Sequence, residues 1–309
     1  MEEKGRHDTP VTRWAHIVCM APVRDPDRID WLASSPFIAI HLVAFATPWL
    51  APPTAGLIGL AAVAYVVRMF GITAGYHRYF AHRAYRTSRL FQFVLAFLGG
   101  TSAQKGALWW AAHHRDHHRD SDGPDDVHSP VQRGFWWSHV GWFLSTRYNA
   151  TRLDRIKDLA HHPELRFLDR HHALPPALLA LGLFLAGGWP WLLWGFFVST
   201  TLLWHGTFFI NSLAHVLGRQ RYQTGDESRN SFPLALITLG EGWHNNHHFY
   251  PTTANQGWFW WELDVSWMAL RVLGAVGLVR DLRTPPERIR LAHLAPMAPG
   301  GAGVHEAAP

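Results

Sequence analysis

The chain has 309 residues, of which 48% are hydrophobic and 17 are tryptophan, with a net charge of +5. That length allows one large domain or two medium ones, and the basic, tryptophan-rich composition fits a membrane surface better than a nucleic acid. The single cysteine, Cys19, excludes an internal disulfide and a cysteine-ligated metal site.

The polar N-terminus (MEEKGRHDTP) contains no apolar core, so no secretory signal peptide is expected, and residues 1–33 read as a cytoplasmic arm. Residues 34–67 then contain no Asp, Glu, Lys or Arg, and Pro52-Pro53 divides this tract. It predicts a helical hairpin with spans at about 34–50 and 54–72. The run Leu90–Ala103 is apolar but shorter than the ~20 residues a bilayer needs, so it predicts a buried or re-entrant helix. A second uncharged tract, 173–218, is divided at Gly187-Gly188-Trp189-Pro190 and predicts spans at 173–187 and 190–210. Four spans return the chain to its starting side. All 28 Lys and Arg residues lie outside the two tracts, which places that side in the cytoplasm. The expected fold is therefore all-α: one integral membrane domain over 34–289, with four transmembrane helices in two hairpins and a cytoplasmic helical cap. Two buried hairpins of a soluble helical protein are the alternative, but uncharged tracts of this length are rare in water-soluble folds. Residues 290–309, rich in Pro, Gly and Ala, read as a disordered tail.

Two stretches, His114-Arg115-Asp116-His117-His118 and His244-Asn245-Asn246-His247-His248, share the spacing H-x-x-H-H. On a helix, residues i, i+3 and i+4 lie within about 100° of one another, so each stretch can aim three imidazoles at one point. His77 and His82 add a third, weaker pair, because five residues on a helix separate two rings by about 140°. These two rings could bind different ions, or the helix could end between them. Eight imidazoles are too many for one ion and suit two. Without cysteine, and for redox chemistry, iron is favoured over zinc. Asn211 and His215, at i and i+4 after the fourth predicted span, are further candidates, although His215 also reads as a structural histidine at a helix end. His113, His114 and His117 would fit one face as well as 114/117/118. The repeated spacing favours the latter. Asp116, Asp120, Asp122 and Glu241 could orient ligand rings or be solvated charges. His7, His16, His41, His139, His161, His162, His171 and His172 lack the spacing. A site on the cytoplasmic side close to span ends suits chemistry on a lipid.

The boxes and their flanks resemble the membrane-bound fatty acid desaturases of the stearoyl-CoA Δ9 type. Gly71-Ile72-Thr73-Ala74-Gly75-Tyr76-His77-Arg78 through His82-Arg83 looks like the family's first box, and Trp110 to His118 with Ser121-Asp122 its second. The stretch Arg133–Trp142 resembles the segment after that box. Asn211-Ser212-Leu213-Ala214-His215 resembles the N-S-x-x-H segment, and Gly240–His248 the third box. The similarity covers roughly residues 30–285. It implies a di-iron centre held by His77, His82, His114, His117, His118, His215, His244, His247 and His248, with Asn211 joining through a water. It also implies a bent acyl tunnel in which Gln104, Thr207 and Phe208 hold the kink and Trp110 lines the wall. Animal members have Trp where this chain has Phe208. They have an Asp that helps bind the CoA head group where this chain has His113, so phospholipid- and carrier-protein-linked acyl chains stand beside CoA as substrates.

The expected reaction is O₂-dependent insertion of a cis double bond, at Δ9, into a long-chain acyl group in the cytoplasmic membrane. No haem-binding H-P-G-G segment occurs, so two electrons are expected from a separate carrier such as ferredoxin or cytochrome b5. A membrane di-iron hydroxylase is the nearest rival enzyme. A metal transporter would need ionisable ligands near mid-membrane, and only His41 lies well inside a predicted span.

Overall fold

The computed structural model describes Asp25 and residues 27–292, so most of the arm 1–33, with Cys19, His7 and His16, and most of the tail 290–309 lie outside the described residues. Helices α1 (Ser35–Leu50) and α2 (Ala55–Phe70) form the first hairpin. Pro52 and Pro53 end α1 because they lack the amide hydrogen a helix needs, and Thr54 restarts the chain by accepting the Leu57 N–H at 3.2 Å. Beyond Phe70 the helix does not stop but widens into π turns over Gly71–Ala81.

Helix α3 (Arg89–Gly100) packs against this wide segment at a distance that only glycine permits. A Cβ on Gly99 would lie 2.3 Å from the Tyr76 ring, and one on Gly71 would lie 2.9 Å from the Gly99 nitrogen. Helix α4 (Ala107–Asp120) follows, and a series of short turns leads to α5 (Pro163–Arg170). The second apolar tract holds α6 (Leu174–Leu192), a wide turn at Leu193–Val198 and α7 (Ser199–Leu213). Gly187 and Gly188 break it. Gly188 has φ 65°, open to glycine but costly for other residues, and the following arm folds back. A Cβ on Gly195 would meet Leu183 at 3.1 Å, two residues that a straight helix would hold about 18 Å apart. The Trp194 indole N–H donates to the Ala51 carbonyl at 2.9 Å and joins this tract to the tip of the first hairpin. Helices α8 (His244–Phe249) and α9 (Val265–Ala275) follow in the C-terminal segment, where Val279–Arg280 pairs with Arg86–Thr87 in a two-residue antiparallel ladder.

Two helices are long and apolar enough to cross a membrane, Ala55–Ala81 and Leu174–Leu213. The sequence predicts four spans. The difference arises because α1, with 16 residues, is short, and because the arms of the second tract are joined as one helix bent at Gly187-Gly188. Phe45, Trp49, Leu185 and Trp189 face outward, 65–75% exposed. Such a surface suits lipid and not water.

The first tract ends at Arg68, which is nonetheless buried. Among the described residues it has no carboxylate. Its guanidinium donates to Thr200 Oγ1 at 2.7 Å, Ser199 Oγ at 2.5 Å and the Thr101 carbonyl at 3.3 Å, tying α2 to α7 and to the end of α3. Replacing Arg68 by Leu strands these partners. The expected loss is roughly 2 kcal/mol, with Lys at this position recovering part of it. Thermal unfolding of the detergent-solubilised variants, read as a lower Tm, checks this.

Candidate metal centre

Helix phase decides how the two H-x-x-H-H runs are used. Relative to residue i, position i+4 is rotated about 40° one way and i+3 about 60° the other. On α4, His114 and His118 accordingly share one group while His117 turns to another. On α8, His244 and His248 share a group and His247 leaves it. The ring nitrogens of His77, His82, His114, His118 and His247 lie within 4.8 Å of one another, as do those of His117, His215, His244 and His248. Each run is thus split between two centres, where the sequence pattern suggests that it aims at one.

The wide turns explain the first pair. In a π turn the amide bonds to the carbonyl five residues back, and the His82 N–H indeed donates to the His77 carbonyl at 3.1 Å. Residues five apart then fall on one face, so both rings enter the same group. His215 joins the second group from just beyond α7. Its Nε2 lies 3.1 Å from His244 Nε2.

Four carboxylates fix which nitrogen looks inward. His77 Nδ1 donates to Glu241, His117 Nδ1 to Asp126 at 3.0 Å, His215 Nδ1 to Asp122 at 2.7 Å and His248 Nδ1 to Asp226 at 2.6 Å. With its proton held on Nδ1, a neutral ring presents the Nε2 lone pair to the centre. Of the carboxylates singled out from sequence, Asp122 and Glu241 take this part, but Asp116 and Asp120 do not. Asp116 is occupied by Arg119, Arg152 and Arg155, and Asp120 by Arg119. Asp126 and Asp226 are missed by sequence reasoning because they lie in loops, where no period marks an inward-facing residue. Only for Asp126, eight residues after His118, does nearness to a histidine box give a signal.

Electrostatics keep most of the rings neutral. Burial, reinforced by neighbouring imidazoles, pushes His82, His114, His118, His244 and His247 well below the usual histidine value. Burial also lowers His248, to about 4, against the pull of Asp226. His117 is different: burial lowers it, but the charge and hydrogen bonds of Asp126 prevail and raise it. Asp126 therefore favours a positive charge at this ring, whether proton or metal cation. Burial opposes ionisation of Glu241, Asp122 and Asp226, yet their histidine partners, with Arg78 for Glu241, hold all three below the ordinary carboxylate range.

These residues fit a pair of metal ions. His247 Nε2 stands 3.0 Å from His77 Nε2 and 2.9 Å from His118 Nε2. One ring hydrogen can satisfy one of those contacts, whereas a shared cation satisfies both. Two nitrogens at right angles, each about 2.1 Å from one ion, stand about 3.0 Å apart. In the second group His248 Nε2 is buried without a hydrogen-bond partner among the described residues. Neutral, all-imidazole donor sets suit first-row transition metals.

His113 belongs to neither group. Its Nδ1 donates to the Trp109 carbonyl at 2.9 Å. His128, not singled out from sequence, packs its ring 4.3 Å from that of His117. His41, His205 and His139 form a hydrogen-bonded row away from both groups, ending on Ser212.

A cavity of about 770 Å³ approaches the centre, walled by aromatic rings such as Phe37, Trp142 and Phe143. Gln104, Trp110, Thr207 and Phe208 all line it. Gln104 Nε2 donates to Thr207 Oγ1 at 3.1 Å, and Trp110 stacks on the His114 ring. A smaller pocket touching both histidine groups shares His114, Thr207 and Asn211 with this cavity. Asn211 is therefore beside the histidines.

Clustered imidazoles at the end of an apolar cavity, beneath outward-facing apolar helices, define a membrane oxidoreductase that works on apolar chains. The model of the fatty acid desaturase family matches residues 36–277, and the chain belongs to that family as an acyl-lipid/acyl-CoA desaturase. It is 35% identical to the sn-2 palmitoyl-lipid 9-desaturase of Nostoc over 88% of this chain and 97% of that one. It is 37% identical to the sn-1 stearoyl-lipid 9-desaturase of Synechocystis over 83% and 81%, and 34% identical to an acyl-CoA 5-desaturase of Anemone leveillei over 80% and 78%.

Changing Asp226 to Asn removes the charge behind His248. Metal retention is expected to weaken by about 10- to 100-fold, the usual effect of losing such a partner. Asp120→Asn, at a carboxylate paired with Arg119 and not with a ring of either group, is expected to leave metal content unchanged. Metal-to-protein ratios by plasma mass spectrometry after dialysis against a graded chelator measure both.

Proposed function

We propose that this protein introduces a cis double bond between C9 and C10 of a long-chain acyl group, at two irons held by the histidine groups. His77, His82, His114, His118 and His247 would hold one ion and His117, His215, His244 and His248 the other, with Asn211 holding a water beside them. When bound, the irons supply the one-electron redox chemistry that couples dioxygen reduction to hydrogen removal from an unactivated carbon. The reaction balances as one CH₂–CH₂ unit, O₂, two protons and two electrons giving one CH=CH unit and two waters. The electrons come from a separate carrier, a ferredoxin or cytochrome b5. The arms α1, α2, α6 and α7 would supply four crossings, with the centre and both termini on the cytoplasmic side. The distribution of Lys and Arg outside the two uncharged tracts supports this orientation.

One observation carries the reading: His114, Thr207 and Asn211 line both the long aromatic cavity and the small pocket at the histidines. An acyl chain in the cavity therefore passes beside the centre. Trp110, stacked on His114, and Phe208, packed on Phe143, present apolar walls that exclude water from it. The Gln104–Thr207 hydrogen bond fixes the wall next to the reacting carbons, and regioselectivity follows from where that wall turns the chain. The Nostoc and Synechocystis relatives support position 9.

Expression in a host without unsaturated lipids is expected to yield a cis-9 monoene, identified by gas chromatography–mass spectrometry with double-bond location. A hydroxylated product would instead mark the protein as a hydroxylase. Thr207→Val keeps the shape but leaves Gln104 without its partner. Turnover is then expected to fall roughly tenfold or more, with the double bond spreading to neighbouring positions in the same assay.

A further inference from the structure

Beside the first cavity lies a second, of about 450 Å³, bordered by α5 and open to the surface. The two share Thr151 and Asp169. Asp169 forms the dividing wall and both its oxygens are engaged, Oδ1 by the Trp109 N–H at 2.9 Å and Oδ2 by the Thr151 hydroxyl at 2.7 Å. This is the polar end of the first cavity. Lys105 lines it there and donates to Asn149 Oδ1 at 3.2 Å.

Arg166 and Arg170 both line the second cavity, one helical turn apart on α5, and both are exposed. Neither has an ion pair or side-chain hydrogen bond among the described residues. The contrast with their neighbours is sharp. Arg147 is paired with Asp27, Arg152 and Arg155 with Asp116, and Arg89 with Glu164. Two free guanidinium groups facing one cavity form a fork suited to a phosphate ester. Their position in the chain adds a second constraint. Arg170 is the last charged residue before the uncharged tract that begins at 173, so the pair stands where a membrane gives way to its head-group layer. The cavity also has an apolar side, Leu108, Leu153 and Phe167, the last half exposed.

We propose that this second cavity is an anion subsite that takes the phosphate ester of the acyl carrier, a glycerophospholipid phosphodiester, while the acyl chain itself occupies the first cavity. The inference rests on the acyl-chain reading of that first cavity. A diacyl lipid held this way leaves its second chain along Phe167 and in the bilayer. An uncharged glycolipid would use the first cavity without the arginines.

The test uses the full-length, metal-loaded protein in an uncharged detergent, with stearoyl-containing phosphatidylglycerol, monogalactosyldiacylglycerol and stearoyl-CoA as separate probes. Turnover is read by mass spectrometry of the acyl products, and binding by native mass spectrometry. The double reversal R166E/R170E is expected to raise KM for phosphatidylglycerol about tenfold with kcat kept, and to weaken its binding in step. R166K/R170K is expected to stay within about twofold, and the galactolipid to be unaffected by either. An increase confined to stearoyl-CoA would keep the anion subsite but overturn the phospholipid as its source. No change with any phosphate-bearing probe, or an equal change with the galactolipid, would overturn the subsite itself. If the unaltered protein turns over no probe, the desaturation reading fails, while binding of phosphatidylglycerol still judges the subsite.

Discussion

Everything at the centre depends on where nine imidazole rings keep their protons. A buried ring that turned its N–H inward would repel a metal cation and forfeit a lone pair. The carboxylates of Glu241, Asp126, Asp122 and Asp226 prevent this for four rings by holding the proton on the outer nitrogen. The carboxylates are themselves restrained. Arg78 grips Glu241 through two nitrogens, Asp126 accepts the backbone N–H of Asp122 and of His128, and Asp226 accepts the hydroxyl of Thr224 and the N–H of Ser228. Loops that look irregular in sequence therefore form an ordered outer layer that sets the chemistry of the inner one.

The wide helical segment 71–81 links that layer to the membrane-facing helices. It puts His77 and His82 on one face, while Arg78, fully buried, reaches Glu241 and Asp264. A regular α-helix over the same residues would swing one of the two rings away. The close glycine contacts with α3 hold the segment in place, so packing among apolar residues and the placement of ligands are parts of one arrangement.

Much of this was legible in the sequence because it is written in residue types. The uncharged tracts, their breaks at Pro52-Pro53 and Gly187-Gly188, and the histidines that come together are visible without coordinates. The division of each H-x-x-H-H run was not, since it depends on the phase of α4 and α8 relative to each other, and helix phase between distant segments has no local signature. Whether His77 and His82 serve one ion or two is open in the sequence for a related reason: the angle between them depends on whether the turn is α or π, which spacing alone does not reveal. Asp126 and Asp226 stayed hidden because loops carry no period. The path of the second tract is not legible either, because spacing does not reveal how two arms that bend at Gly187-Gly188 are joined.

The division of the histidine runs has a consequence for biosynthesis. The first group takes four rings from residues 77–118 and its fifth, His247, from far downstream, and the second takes His117 from upstream and the rest from beyond residue 213. Neither group is complete until the second apolar tract has been made, inserted and folded back against the first. An unfinished or half-inserted chain thus holds only partial ligand sets. Full coordination of both groups therefore waits on the last stage of assembly, and metal binding is coupled to the folding of the whole chain.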